Sequence, residues 1–224
     1  TRPVKVISRP DQYVGVTTFT GNGGTQSIDV GHEPDLVWLK DRGAGEHHGL
    51  FDTIRGPLMR LVSDYPYAST SRANTVTSFN NNGVTLGSAG EYNGSGDAIV
   101  AWSWRAGGSK NTFNVDDVGY ATAAAAGLTG GDITPTGASV GTKQGFSIIK
   151  FTGSGSGTPS IPHGLSEAPT FILQKDTEAT TSWRTFLYNI SVWSIMNINN
   201  QDGATGATET APTSSLFYAN GNGN

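Results

Sequence analysis

The chain contains no cysteine, which excludes a disulfide framework and a thiolate metal site. No apolar run approaches the roughly 20 residues that span a bilayer, and no basic-then-apolar segment opens the chain, so the sequence predicts a soluble protein. Charge is scarce. Asp, Glu, Lys and Arg make up 14% of the 224 residues, and the 14 basic side chains are scattered singly in a chain of net charge −4. That excludes the basic stripe a phosphate backbone requires, so nucleic acid is not an expected partner. It also excludes the highly charged compositions typical of disordered chains and long helices.

Glycine is abundant, with 31 residues, and stands among many Thr, Ser and Asn residues. This composition predicts a turn-rich, all-β fold. In "VGVTTF" and "FSIIKF" β-branched and aromatic residues dominate without a helical apolar stripe, so both predict strands. "GDAIVAWSWRAG" places Val100, Trp102 and Trp104 on one face and Ile99, Ala101 and Ser103 on the other. The expectation is that the bulky face is buried against a second sheet. Asn-Gly and Gly-Gly turns between such strands predict a β-sandwich.

The chain also repeats itself. "SIDVGHEPDLVWLKD" (27–41) returns as "SIPHGLSEAPTFILQKD" (160–176). Phe19, Thr20 and Gly21 align with Phe151, Thr152 and Gly153, and Lys40 with Lys175. A repeat this long is a whole domain, since solenoid units run to about 20–50 residues. The expected organisation is two tandem β-sandwiches, jelly-roll-like or lectin-like, at 1–117 and 145–224. Between them 118–144, rich in Ala, Gly and Thr, is expected to be a linker without a core of its own. "EYNGSGDAIVAW" matches only "YANGNGN" at the end of the second copy. That predicts a longer parent chain or a last strand supplied by a neighbour.

Chemistry is sparse. Asp41, Glu46, His47, His48, Asp52 and Arg55 crowd into sixteen residues, but a zinc site from His47, His48 and Asp52 lacks the spacing of a helical metal motif. The expected arrangement is a loop with Asp52 and Arg55 paired locally and solvated histidines. Trp183 and Tyr188 would stand opposite His47 and Asp52 in the second copy. Asn114 to Asp117 lacks the order of a calcium loop. No carboxylate pair with glycosidase spacing and no nucleophile elbow is written. The residues therefore assign no catalytic group, no metal and no cofactor. The candidate ligand contacts are aromatic: Tyr65 and Tyr67 in a Pro-containing turn, and Trp183, Tyr188 and Trp193 in or beside a polar loop.

The succession "VWLKDRGAGEHHGLFDTIRG", "TSFNNNGVTLGS", "GDAIVAWSWRAGG" and "GFSIIKFTGSGSGTPSIPHGLSEAPTFILQKD" resembles a tandem domain of tailed-bacteriophage structural proteins. It is most similar to chains of marine phages described as tail fibres or as lectin/glucanase-like. Trp102 to Gly107 and Ile161 to Leu165 carry the resemblance most specifically. It implies a virion surface component with other virion proteins as partners and host surface polysaccharide as a ligand. It also implies a symmetric oligomer such as a homotrimer and carries over no catalytic residue, so no enzymatic activity is expected, and the lack of a long apolar run predicts no membrane insertion. An architectural connector without its own ligand, and a glycan hydrolase using Asp52 or Glu46, are the alternative readings.

Overall fold

The computed structural model describes residues 9–189, 192–199, 205–206 and 211–219. The first copy contributes β1 (Val14–Thr20), β2 (Gln26–Asp29), β3 (Leu36–Asp41), β4 (Gly49–Asp52), β5 (Met59–Val62), β6 (Thr70–Ser71), β7 (Val76–Asn80), β8 (Gly83–Leu86) and β9 (Ala98–Trp104). They form a sheet ordered β1-β9-β3-β4-β5-β6 and a smaller one ordered β2-β8-β7, antiparallel throughout. The inner faces enclose a core including Ile28, Val37, Leu39, Phe51, Val76, Val84, Leu86 and Ala101. Burying each large apolar side chain there contributes about 1.5–3 kcal/mol. A single helical turn, α1 (Gly90–Asn93), adds the fully buried Tyr92. Its ring meets Phe51 edge-on at 5.6 Å. At Gly83 a Cβ would lie 1.8 Å from the Ile28 carbonyl oxygen, so any side chain there would force β8 away from β2.

The β9 faces are opposite to the sequence expectation. The small face, with Ile99, Ala101 and Ser103 all fully buried, points inward. Trp102 and Trp104 are only half-buried on the outer face, where Trp102 meets Trp38 at 5.9 Å and Trp104 meets Phe146 at 6.4 Å. Ala101 on this face packs in the same core as the rings of Tyr92 and Phe51.

The segment 118–144 is not a coreless linker. β10 (Phe113–Val115), β11 (Val118–Tyr120), β12 (Gly137–Gly141) and β13 (Phe146–Lys150) form one sheet in the order β11-β10-β12-β13. Both expected boundaries fall inside it: 117/118 in the β10–β11 turn and 144/145 in the β12–β13 turn. Leu128, Ala138 and Val140 are buried together with Phe113. Small residues here mark close packing, and the segment obtains its core by sharing apolar side chains with both flanks. The Trp-x-Trp-Arg-Ala-Gly element shows why. The Gly107 amide donates to Ser139 Oγ at 2.8 Å, and a Cβ on Gly107 would come within 2.4 Å of the Val140 carbonyl oxygen.

The second copy contributes β14 (Ser160–Pro162), β15 (Phe171–Gln174), β16 (Arg184–Asn189), β17 (Val192–Met196), β18 (Thr205–Gly206) and β19 (Leu216–Tyr218). Its sheet β15-β16-β17-β18 reproduces β3-β4-β5-β6. Leu36 faces Asp52 and Phe171 faces Leu187, each 135 residues later (171 − 36 and 187 − 52). The shift persists to the last pairing, where Met59 facing Ser71 becomes Ser194 facing Gly206. Likewise β14 pairs with β19 as β2 pairs with β8, with Ile161 on Phe217 in place of Ile28 on Val84. A shift of 135 puts Trp183 opposite His48 and Leu187 opposite Asp52, one residue away from the sequence alignment. In a strand one residue exchanges the two faces.

The copies meet through the outer face of the first large sheet. Trp183, Leu50 and Leu61 are buried together, with Leu36, Trp38, Leu173 and Ile198 packed against them.

Candidate functional site

Lys40 and Asp41 shape the loop that follows β3. The Lys40 ammonium donates to the carbonyl oxygens of Asp41, Ala44 and Glu46 at 2.5, 2.8 and 2.9 Å. One Asp41 carboxylate oxygen accepts the amides of Gly43 and Ala44. The second copy repeats this device: Lys175 donates to the carbonyls of Asp176 and Ala179, and Asp176 accepts the amides of Glu178 and Ala179. The Lys-Asp pair visible in both halves of the sequence is thus a loop clamp. In the first copy it delivers His47 to the surface.

There His47 joins Asp64, Tyr65 and Tyr67 from the loop after β5. The two tyrosine rings stack, with centroids 5.0 Å apart and planes 20° from parallel. The His47 ring meets them edge-on at 4.7 and 6.0 Å. Tyr65 is 45% exposed and Tyr67 43%. His47 Nδ1 and the His48 amide each lie 2.9 Å from an Asp64 carboxylate oxygen. Burial pushes the Asp64 carboxyl up, but these two bonds outweigh it and hold it below the usual value. The result is a fixed aromatic platform open to solvent, suited to stacking on an apolar ring face while the histidine and carboxylate hydrogen-bond at its margin.

Tyr65 and Tyr67 are therefore where the sequence placed them. Trp183 is not: it is 3% exposed, and its indole N–H donates to the carbonyls of Val62 at 2.7 Å and Tyr65 at 3.2 Å. It supports the platform from beneath. Tyr188 and Trp193 lie in β16 and β17, facing each other across the pair. These are strands instead of the expected polar loop, and their side chains lie outside the described residues.

The polar cluster divides. Asp52 and Arg55 pair locally, Nε to Oδ2 at 2.6 Å with both side chains nearly buried, and Arg55 also donates to the carbonyls of Leu50 and Met59. His48 is half-buried, 6.1 Å from Trp38. Asn114 is fully buried, its amide donating to the Asn111 carbonyl at 2.6 Å. Among the described residues no three His, Cys, Asp or Glu side chains group as metal ligands.

The chain belongs to a family described as a domain of unknown function, DUF7483, matched over residues 9–224. No curated protein and no solved structure matches it. Among the described residues of this family member no helix is long and apolar enough to cross a membrane.

Burial, the largest influence in each case, holds His32, His48 and His163 below the ordinary histidine value. A histidine depressed in the folded state takes up its proton first in the unfolded chain. Its contribution to stability is complete above about pH 6.5 and declines as pH falls through the lower folded value. The melting temperature should therefore be lower at pH 5.5 than at pH 7.5, read by circular dichroism. An unchanged or higher value at pH 5.5 would contradict the assignment.

Proposed function

We propose that this chain is a surface module of a tailed-bacteriophage virion that attaches to host surface polysaccharide through the His47–Tyr65–Tyr67 platform. The stacked, solvent-facing tyrosine pair is the observation that carries the ligand class. Sugar rings present C–H faces that lie on aromatic rings, and an aromatic pair fixed in advance loses little entropy on binding. The virion assignment draws on the resemblance carried by Trp102 to Gly107 and Ile161 to Leu165. The test is binding of the labelled chain to bacterial cells and extracted polysaccharides, with Tyr65→Ala and Tyr67→Ala compared to wild type. Each substitution should weaken binding at least about tenfold, the equivalent of 1.4 kcal/mol, with little change in melting temperature. Wild-type affinity in both variants would remove the platform from the reading.

A second reading, an architectural connector within the virion, rests on a different surface. Phe171 and Leu187 face each other across β15 and β16 and are 54% and 36% exposed. An exposed apolar cross-strand pair on an outer sheet strand favours contact with another protein. Under this reading the chain ignores cells and polysaccharides, and Phe171→Ser abolishes binding to a neighbouring virion protein while the tyrosine substitutions do not.

A further inference from the structure

The two copies differ at the centre of their large sheets. In the first copy β9 lies between β1 and β3. In the second, among the described residues, no strand holds the corresponding place between β13 and β15. There β13 pairs only with β12, and β15 only with β16.

Which edge of each strand is open follows from its backbone, because successive residues of a strand point their hydrogen-bonding groups to opposite edges. In the first copy the Gly21 amide donates to the Asp97 carbonyl and the Arg105 amide to the Tyr13 carbonyl, so the odd-numbered residues of β1 face β9. Phe19 aligns with Phe151, which makes Ser147 and Ile149 the counterparts of Gly15 and Thr17. The Ala138 amide donates to the Thr112 carbonyl on the β10 side, and the Thr136 amide to the Lys150 carbonyl. β12 therefore turns Gly137, Ser139 and Gly141 toward Lys150, Ile148 and Phe146, and Ser147 and Ile149 face the other way. β13 thus leaves open the edge by which β1 holds β9. On the opposite side the Arg42 amide donates to the Ala98 carbonyl and the Thr53 amide to the Asp35 carbonyl, so the even-numbered residues of β3 face β9. The shift of 135 makes Phe171 and Leu173 the counterparts of Leu36 and Trp38, on the edge of β15 away from β16.

Both open edges border one core. Ile149, Phe151 and Ile172 pack against Ile161 and Phe217, yet burial there is incomplete. Val37 and Leu39 are fully buried beside β9, whereas their counterparts Ile172 and Gln174 are half-buried and the neighbouring Phe171 is exposed. The filled place shows what the open one fits. β9 sets Ala101 between Thr17 and Leu39, and Ser103 between Gly15 and Val37. The second copy offers Ile149 and Gln174, then Ser147 and Ile172, at the same positions. Outward-facing Trp102 lies beside Trp38, whose counterpart Leu173 belongs to the contact between the copies. An aromatic side chain entering there would extend that contact. Residues 220–224, Asn-Gly-Asn-Gly-Asn, are fewer than the seven of β9 and carry no apolar side chain. The β9 of a second copy is held between its own β1 and β3.

We propose that the gap between β13 and β15 is a docking groove for one added β-strand from outside these 224 residues. The strand runs antiparallel to both edges and carries the β9 pattern, with small or aliphatic residues toward the core and aromatic residues outward. It satisfies two rows of backbone groups at once and joins the sheet of β13 to that of β15. The groove is defined by backbone edges and one core, and depends on neither reading of function above.

The probe is a fluorescein-labelled peptide with the sequence of residues 96–107, which contains β9, added to the full chain. It should bind saturably at micromolar concentration, read by anisotropy. Hydrogen exchange followed by mass spectrometry should show new protection in 146–151 and 171–176 together. The same peptide carrying Ile99→Asp and Ala101→Asp sets charge against the core and should bind at least about tenfold more weakly. In the chain, Ser147→Pro removes a donor from the open edge without costing a bond to β12. It should weaken binding at least about fivefold. The peptide variant leaves the chain unaltered, so the test stands even if Ser147→Pro impairs folding. No saturable binding, equal affinity for the charged peptide, wild-type affinity in a folded Ser147→Pro chain, or protection of one edge alone or of β1 instead would each overturn the proposal. So would protection of both edges by self-association without peptide, which assigns the groove to a second copy.

Discussion

Replacing Trp183 with alanine should lower the unfolding free energy by about 3–5 kcal/mol, the range for truncating a large buried aromatic. The indole is 3% exposed and packs with Leu50 and Leu61 where the two copies meet. Its N–H also serves the carbonyls of Val62 and Tyr65. Trp183→Phe separates these contributions. It keeps most of the apolar volume but leaves the Val62 carbonyl without its donor, at about 1–3 kcal/mol. Urea unfolding measures both, and an alanine variant within about 1 kcal/mol of wild type would show that this contact does not join the copies. Because Trp183 holds the Tyr65 backbone, the alanine variant should also lose ligand binding indirectly, whereas Tyr65→Ala loses it at normal stability.

The second large effect is at Asp35, fully buried at the entrance to β3. One carboxylate oxygen accepts the Thr53 hydroxyl at 2.9 Å, and the other accepts the amides of Ala106 and Gly108 at 2.7 and 3.1 Å. Three segments far apart in sequence are thereby joined: the start of β3, the turn after β4 and the connection from β9 to β10. Asp35→Ala leaves two buried backbone N–H groups unpaired, each costing about 1–3 kcal/mol, and a total of about 3–5 kcal/mol is expected. Asp35→Asn retains one carbonyl oxygen and should cost less. Equal stability of Asp35→Ala and wild type in urea would show that water reaches these amides.

Both effects bear on what could be read from the chain. Strands, turns and the tandem repeat follow from local patterns, because alternation and Gly-rich turns act over a few residues. Tyr65 and Tyr67 were legible as exposed since Pro66 and the polar neighbours Asp64 and Ser69 surround them. Trp183 reads as a surface residue in the sequence because its burial depends on Leu50 and Leu61, more than 120 residues away, which no local pattern reports. The segment 118–144 reads as a linker for a related reason: small residues suggest one in isolation, yet they pack closely when Phe113 and Ile149 supply the bulk.

The histidines illustrate the same division. The Gly-His and His-Gly pairs mark the repeat in the sequence, yet with Ile28 matched to Ile161 it is Gly31 and Gly164 that coincide, both at positive φ, while His163 falls on Val30 and His32 on Leu165. All-β architecture, its duplication and the Lys-Asp loop clamp were written in the chain, because each is specified by neighbouring residues or by comparison of its two halves. Which face of β9 is buried, where the copies touch and which polar groups stay unsatisfied were settled by packing. Those properties depend on the fit of distant surfaces, and a one-residue difference in register reverses them.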